Sequence, residues 1–148
     1  MIFSRLFSSV VIILLIVSLV LIRLYEVPLF NDPLYDYFHS DFQLFAIPKL
    51  SFWNVIAGTS LRYLLNMVLS LWIIWFLYKR ESYIHAALWV YLFAYIILMG
   101  AFTLLLDADS NFVKMALFYT RRFLIQPILL FIMVAGFYFL KTKGDKLV

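Results

Sequence analysis

The sequence predicts an all-α integral membrane protein with four transmembrane helices and both termini in the cytoplasm. Three observations carry that prediction. The first is composition: 66% of the 148 residues are hydrophobic and 14% are charged, with a mean hydropathy of +1.01. An ordinary soluble domain is about 45–50% apolar and about 25% charged. The second is segmentation, because long apolar runs are separated by short charged or proline-containing stretches. The third is charge asymmetry. With the N-terminus inside, Arg5, Lys79, Arg80, Lys141, Lys143 and Lys146 lie on the cytoplasmic side, while Glu26, Asp32, Asp36, Asp41, Asp107 and Asp109 lie outside. This puts six of the twelve basic residues inside and six of the eight acids outside, and the positive-inside rule favours it because the flipped orientation would put the basic turn and tail outside.

The first span covers residues 6–22, between Arg5 and Arg23. At 1.5 Å per residue it reaches about 26 Å, enough for a hydrocarbon core of about 30 Å when flanking arginines snorkel. A cleaved signal peptide is the rival reading. The run is followed by Arg23-Leu24-Tyr25-Glu26, with no small-residue cleavage site, so a retained helix is expected.

The outer loop at residues 24–60 is not an ordinary linker. It carries four acids and prolines at 28, 33 and 48, but also Tyr25, Phe30, Tyr35, Tyr37, Phe38, Phe42, Phe45, Phe52 and Trp53. Disordered segments are poor in aromatics, whereas membrane interfaces are rich in them. An aromatic interfacial segment between helices 1 and 2 is therefore expected. It should contain a short helix near residues 33–39, with Asp32 as N-cap and Pro33 in the first helical position. An extended piece should follow across Ile47-Pro48.

The second span covers residues 61–78, and its helix can begin as early as Phe52. Arg62, Asn66 and Ser70 are spaced by four and so form one polar stripe. A charged turn, Lys79-Arg80-Glu81-Ser82, leads to the third span at residues 83–106. The second outer loop occupies residues 107–114. The fourth span is placed at residues 123–140, with residues 112–122 as an interfacial lead-in and a kink or local loosening at Gln126-Pro127.

Counting from the basic cytoplasmic markers places the arginines in depth. Arg23 lies 18 residues from Arg5, Arg62 lies 17 from Lys79, and Arg122 lies 19 from Lys141. These separations are all about 26–29 Å along a helix. Three helices thus bring arginines to one level at the outer edge of the bilayer. Asn66 and Gln126 follow Arg62 and Arg122 by four residues, one turn deeper. Snorkelling to headgroups accounts for each arginine singly. The coincidence of depth, with amides beneath, points further, to a patch that holds an anion or a partner's carboxylate. Its members are Arg23, Arg62, Asn66, Arg121, Arg122 and Gln126, with Glu26 and Asp32 facing them from the loop.

Several chemistries find no support. The chain has no cysteine, which rules out thiolate nucleophiles, disulfides and cysteine-ligated metals. His39 and His85 fall on opposite sides of the bilayer in this topology and cannot share a metal. Ser8, Ser9, Ser18 and Ser70 have no adjacent His–Asp pair. No metal site, cofactor or catalytic constellation is expected. The basic residues flank apolar runs and form no basic face, so no nucleic-acid partner is expected.

Three blocks of residues suggest a relationship. They are Arg23-Leu24-Tyr25-Glu26 with Leu29-Phe30-Asn31-Asp32-Pro33, then Arg62-Tyr63-Leu64-Leu65-Asn66 with Leu69-Ser70-Leu71, then Phe118-Tyr119-Thr120-Arg121-Arg122-Phe123-Leu124-Ile125-Gln126-Pro127. In this order they resemble the small exosortase F-associated membrane proteins of Bacteroidetes-type bacteria. The resemblance implies a multi-pass protein of the bacterial inner membrane, accessory to an exosortase. Such an enzyme is a membrane cysteine transpeptidase that acts on C-terminal sorting tails at the outer face. A chain without cysteine is not that enzyme. The expectation is a non-catalytic accessory or assembly subunit whose arginine patch docks the enzyme, a substrate tail or membrane lipid. The alternative is a lipid-binding or lipid-modifying enzyme that holds a phosphate on the same arginines, with Glu26, Asp32 or His39 as its base. A small transporter is disfavoured because the charges do not continue to the inner side.

Overall fold

The computed structural model describes residues 2–25, 30, 34–40, 51–106 and 110–144. It consists of helices α1 (Ile2–Leu24), α2 (Tyr35–His39), α3 (Phe52–Tyr78), α4 (Glu81–Leu105), α5 (Asn111–Ile125) and α6 (Ile128–Gly144), with no strand among the described residues. Three helices are long and apolar enough to cross a membrane, and the bent pair α5–α6 makes up to four if it is one span. The chain is a multi-pass membrane protein by that measure. Its apolar side chains bear this out: Trp72, Trp89, Phe93, Ile97 and Phe131 are all exposed, an arrangement suited to lipid rather than water.

Helix α3 is the hub and touches α1, α4, α5 and α6. It begins at Phe52, the earlier of the two starts the sequence allows, and runs 27 residues, or about 40 Å. It ends at Lys79, whose left-handed backbone (φ 52°) lets its N–H donate to Trp75 O at 2.8 Å and closes the last turn. After Arg80, α4 starts at Glu81 and returns against α3. Tyr63 Oη donates to Tyr91 O at 2.6 Å, and Ser60 Oγ and Tyr95 Oη share a hydrogen bond of 2.8 Å. These pairs turn hydroxyls inward, where helices in lipid have little hydrophobic drive to associate.

The connection between α4 and α5, expected as an outer loop at residues 107–114, is shorter than expected. Ser110 caps α5 by accepting from the Val113 N–H at 3.3 Å, so the helix already runs from Asn111. The stretch expected as a lead-in is therefore a regular helix of 15 residues packed on α4 and α3. The fourth span as placed, residues 123–140, contains a break. Helix α5 stops at Ile125 and α6 starts at Ile128, at an angle of 62°. Pro127 explains the break, because it has no N–H for Phe123 O. The Ile128 N–H turns instead to Gln126 O at 2.8 Å.

Two apolar clusters hold the helices together. One gathers Leu34, Tyr37 and Phe38 of the α2 region with Val55, Tyr63, Phe102, Leu117 and Leu124. The other joins Leu19, Ile73, Ile74, Ala87, Leu130, Met133 and Phe137. Tyr83 stacks on Phe137 at 4.6 Å, and Tyr78 Oη donates to Val134 O at 2.7 Å. The short helix expected near residues 33–39 is present as α2. It does not merely lie on a surface, because Leu34 is fully buried against the bundle. Its expected cap, Asp32-Pro33, and the extended piece at Ile47-Pro48 lie outside the described residues.

Candidate functional site

The site forms where α1 ends, α3 is about one third along, and the α5–α6 chain breaks. Each element contributes polar groups for a local reason. The four-residue spacing on α3 puts Arg62, Asn66 and Ser70 on one buried face, with 2%, 5% and 0% exposure. The break at Pro127 strips helix carbonyls of their donors, and Asn66 supplies one: its Nδ2–H donates to Ile125 O at 2.8 Å. An unsatisfied buried carbonyl costs about 1–3 kcal/mol. The variant Asn66→Leu is therefore expected to lose about that much stability, read as a lower midpoint in SDS-titrated unfolding followed by circular dichroism. An unchanged midpoint would show that water or the lipid headgroup region satisfies Ile125 O instead.

The arginines fall into two pairs. Arg62 and Arg121 are interior. The Arg62 guanidinium lies 4.7 Å from the Phe30 ring centroid, and Arg121, 6% exposed, lies 5.2 Å from that of Phe38. Both are cation–π contacts from the aromatic segment onto the bundle. Arg23 and Arg122 are exposed. The Arg122 Nε–H donates to Gln126 Oε1 at 3.0 Å, which uses one of five guanidinium donors.

Two cavities share these residues. The smaller, about 200 Å³, is lined by Arg23, Arg121, Arg122, His39 and Gln126 with Phe38, Phe118 and Ile125. The larger, about 560 Å³, lies between α1, α3 and α6. Arg23, Arg62, Asn66 and Gln126 stand at one end, and the remaining wall is apolar, including Ile12, Leu19, Ile73, Leu130 and Val134. Arg23 and Gln126 line both. The structure thus brings together Arg23, Arg62, Asn66, Arg121, Arg122 and Gln126. Glu26 and Asp32, expected opposite them, lie outside the described residues.

His39 enters the smaller cavity beside the arginines. It stacks on Tyr35 at 4.0 Å, and its Nδ1 pairs with Tyr35 O at 2.8 Å. His85 sits at the start of α4, with Nδ1 against Glu81 O at 2.9 Å. Among the described residues no group of three metal-ligating side chains exists. The sequence reading missed the Tyr63–Tyr91 and Ser60–Tyr95 pairs, the burial of Lys114 at 6% exposure, and the larger cavity itself. The spacing of Ser60 and Tyr63 beside Arg62 was the available signal for the first two contacts. Comparison of the chain with protein-family models, with curated proteins and with solved structures finds no match.

Proposed function

We propose that this chain is a non-catalytic accessory or assembly subunit of an exosortase-type protein-sorting system in a bacterial inner membrane. In this reading it has four spans with both ends inside, and α5–α6 is one bent span. The observation that carries it is the convergence of arginines from three helices, with two amides, around two cavities that share Arg23 and Gln126. Fixed guanidinium donors in a partly dry site favour an anionic group. They offer a carboxylate or phosphate a place to dock. The choice of partner rests on the resemblance of the three sequence blocks. The charge distribution supports placing the pocket at the outer face, where such an enzyme acts.

The test is capture from native membranes through a C-terminal tag. The wild type is expected to bring down an exosortase-type enzyme, and Arg23→Ala with Arg122→Ala to bring down at least tenfold less. Both side chains are exposed, so these changes alter the pocket and spare the bundle. Absence of that enzyme from the wild-type eluate contradicts the proposal.

A lipid-modifying enzyme is the second reading, and the position of His39 among the arginines favours it. It requires a base within reach of the phosphate. Alanine at Glu26, Asp32 and His39 in turn should then abolish function in cells, whereas a docking subunit tolerates the loss of His39.

A further inference from the structure

We infer that the larger cavity, with the smaller one that shares Arg23 and Gln126, is a binding site for an anionic phospholipid, the phosphate on Arg23 and Arg122 and one acyl chain lying between α1 and α6. The inference rests on the reading of the arginine cluster as a holder of anions and names the anion.

The cavity is polar at one end only. On α1 it runs from Arg23 down to Ile12, and on α3 from Arg62 down to Leu77. At 1.5 Å per residue these are about 16 and 22 Å. One leaflet of a hydrocarbon core is about 15 Å, half of about 30 Å. The cleft is therefore as long as a lipid chain is deep, and its charged end is where a headgroup sits. Its mouth opens sideways, since Ile16, Val20 and Phe131 on the rim are about half or more exposed. A lipid can enter from the bilayer without crossing the polar end.

The volume, about 560 Å³, is ordinary for a small-molecule site of about 300–1,000 Å³. Beside the gap, α1 packs chiefly on α3, and α6 leaves α5 at 62°. Charge complementarity selects the headgroup: Arg23 and Arg122 are exposed at the polar end and its adjoining pocket, and guanidinium groups match phosphate oxygens bidentately.

The test is native mass spectrometry of the full chain released from mixed phosphatidylcholine–phosphatidylglycerol bilayers. One phosphatidylglycerol is expected to remain on the wild type in preference to phosphatidylcholine. The pair Arg23→Gln and Arg122→Gln should lower its retention at least tenfold. Val134→Trp, which fills the apolar end without changing charge, should lower it comparably; if that variant loses helicity, Ile12→Trp is read in its place.

Equal retention of the two lipids, or retention unchanged in the glutamine pair, overturns the inference. So does full retention in the filled variant, because the headgroup would then bind without its chain. Displacement of the lipid by soluble glycerol phosphate, or a polypeptide adduct in its place, overturns it as well. Loss of lipid preference with enzyme capture intact defeats this inference alone. Lipid preference without enzyme capture defeats the sorting reading alone.

Discussion

Replacing Arg62 by lysine is expected to destabilise the protein by about 2 kcal/mol, although the charge is unchanged. The reason is burial. Arg62 is 2% exposed, with its guanidinium 4.7 Å from the Phe30 ring centroid. A desolvated cation–π contact contributes about 2 kcal/mol, which lysine keeps only in part, and the cost of burying its ammonium adds to the loss. Lysine presents no planar face to the ring, and its compact ammonium is more strongly hydrated, so it is costlier to bury. The same change at exposed Arg122 should stay within about 0.5 kcal/mol. Midpoints from SDS-titrated unfolding in mixed micelles, followed by circular dichroism, separate the two sites. If Arg62→Lys unfolds at the wild-type midpoint, Arg62 acts as a snorkelling charge and the interior pairing with Phe30 is energetically idle.

The second large effect belongs to Phe102. Its side chain has no exposed surface and sits in the cluster that joins the α2 region to α3, α4 and α5. In water, Phe→Ala in a core costs about 3–5 kcal/mol, through both transfer and cavity contributions. In a membrane protein the transfer part shrinks, because the unfolded helix also keeps its phenyl ring in lipid. The loss of packing remains. Phe102→Ala is expected to cost about 2–3 kcal/mol, at or below the lower end of the aqueous range. Phe93→Ala on the same helix, where the ring is 57% exposed, should cost less than about 0.5 kcal/mol. Equal costs at the two positions would mean that α4 presents a different face to the bundle.

The three long apolar helices were legible because hydropathy acts through the chain's own length and composition. The polar stripe of Arg62, Asn66 and Ser70 was legible because helical spacing alone puts the three on one face, and the structure buries that face. Pro127 announced its break because a missing N–H is a local fact. The extent of the break, 62° with α5 helical from Asn111, depends on α5 packing against α4 and α3. No local signal carries that. Nor could periodicity reveal the cavity. Helices that are apolar nearly all round do not declare which neighbour they touch, and the gap between α1 and α6 is a property of helix pairing. The split of the arginines into an interior pair and an exposed pair was hidden for the same reason. It is set by Phe30 and Phe38, which arrive from a loop distant in sequence.

This division changes how the site is read. Arg62 and Arg121 anchor the aromatic segment onto the bundle, and substituting them perturbs the fold as well as the pocket. Arg23 and Arg122 are exposed, and Gln126 lines both cavities, so substituting these two arginines is expected to alter the pocket more than the fold.

The account depends most on the bent pair α5–α6 crossing the membrane once, so that Pro127 places the arginine pocket at the outer face beside the end of α1. The chain has no cysteine, so single-cysteine variants report accessibility without background. Ser82, Ser110 and Thr142 are exposed and mark the α3–α4 turn, the start of α5 and the end of α6. Their cysteine variants, treated with a membrane-impermeant maleimide in right-side-out and inverted vesicles, test the claim directly. The account predicts that Ser110→Cys labels from the outside, and that Ser82→Cys and Thr142→Cys label only from the cytoplasmic side. Labelling of Ser110→Cys and Thr142→Cys from the same side would contradict it, making α5–α6 a re-entrant loop and leaving three spans.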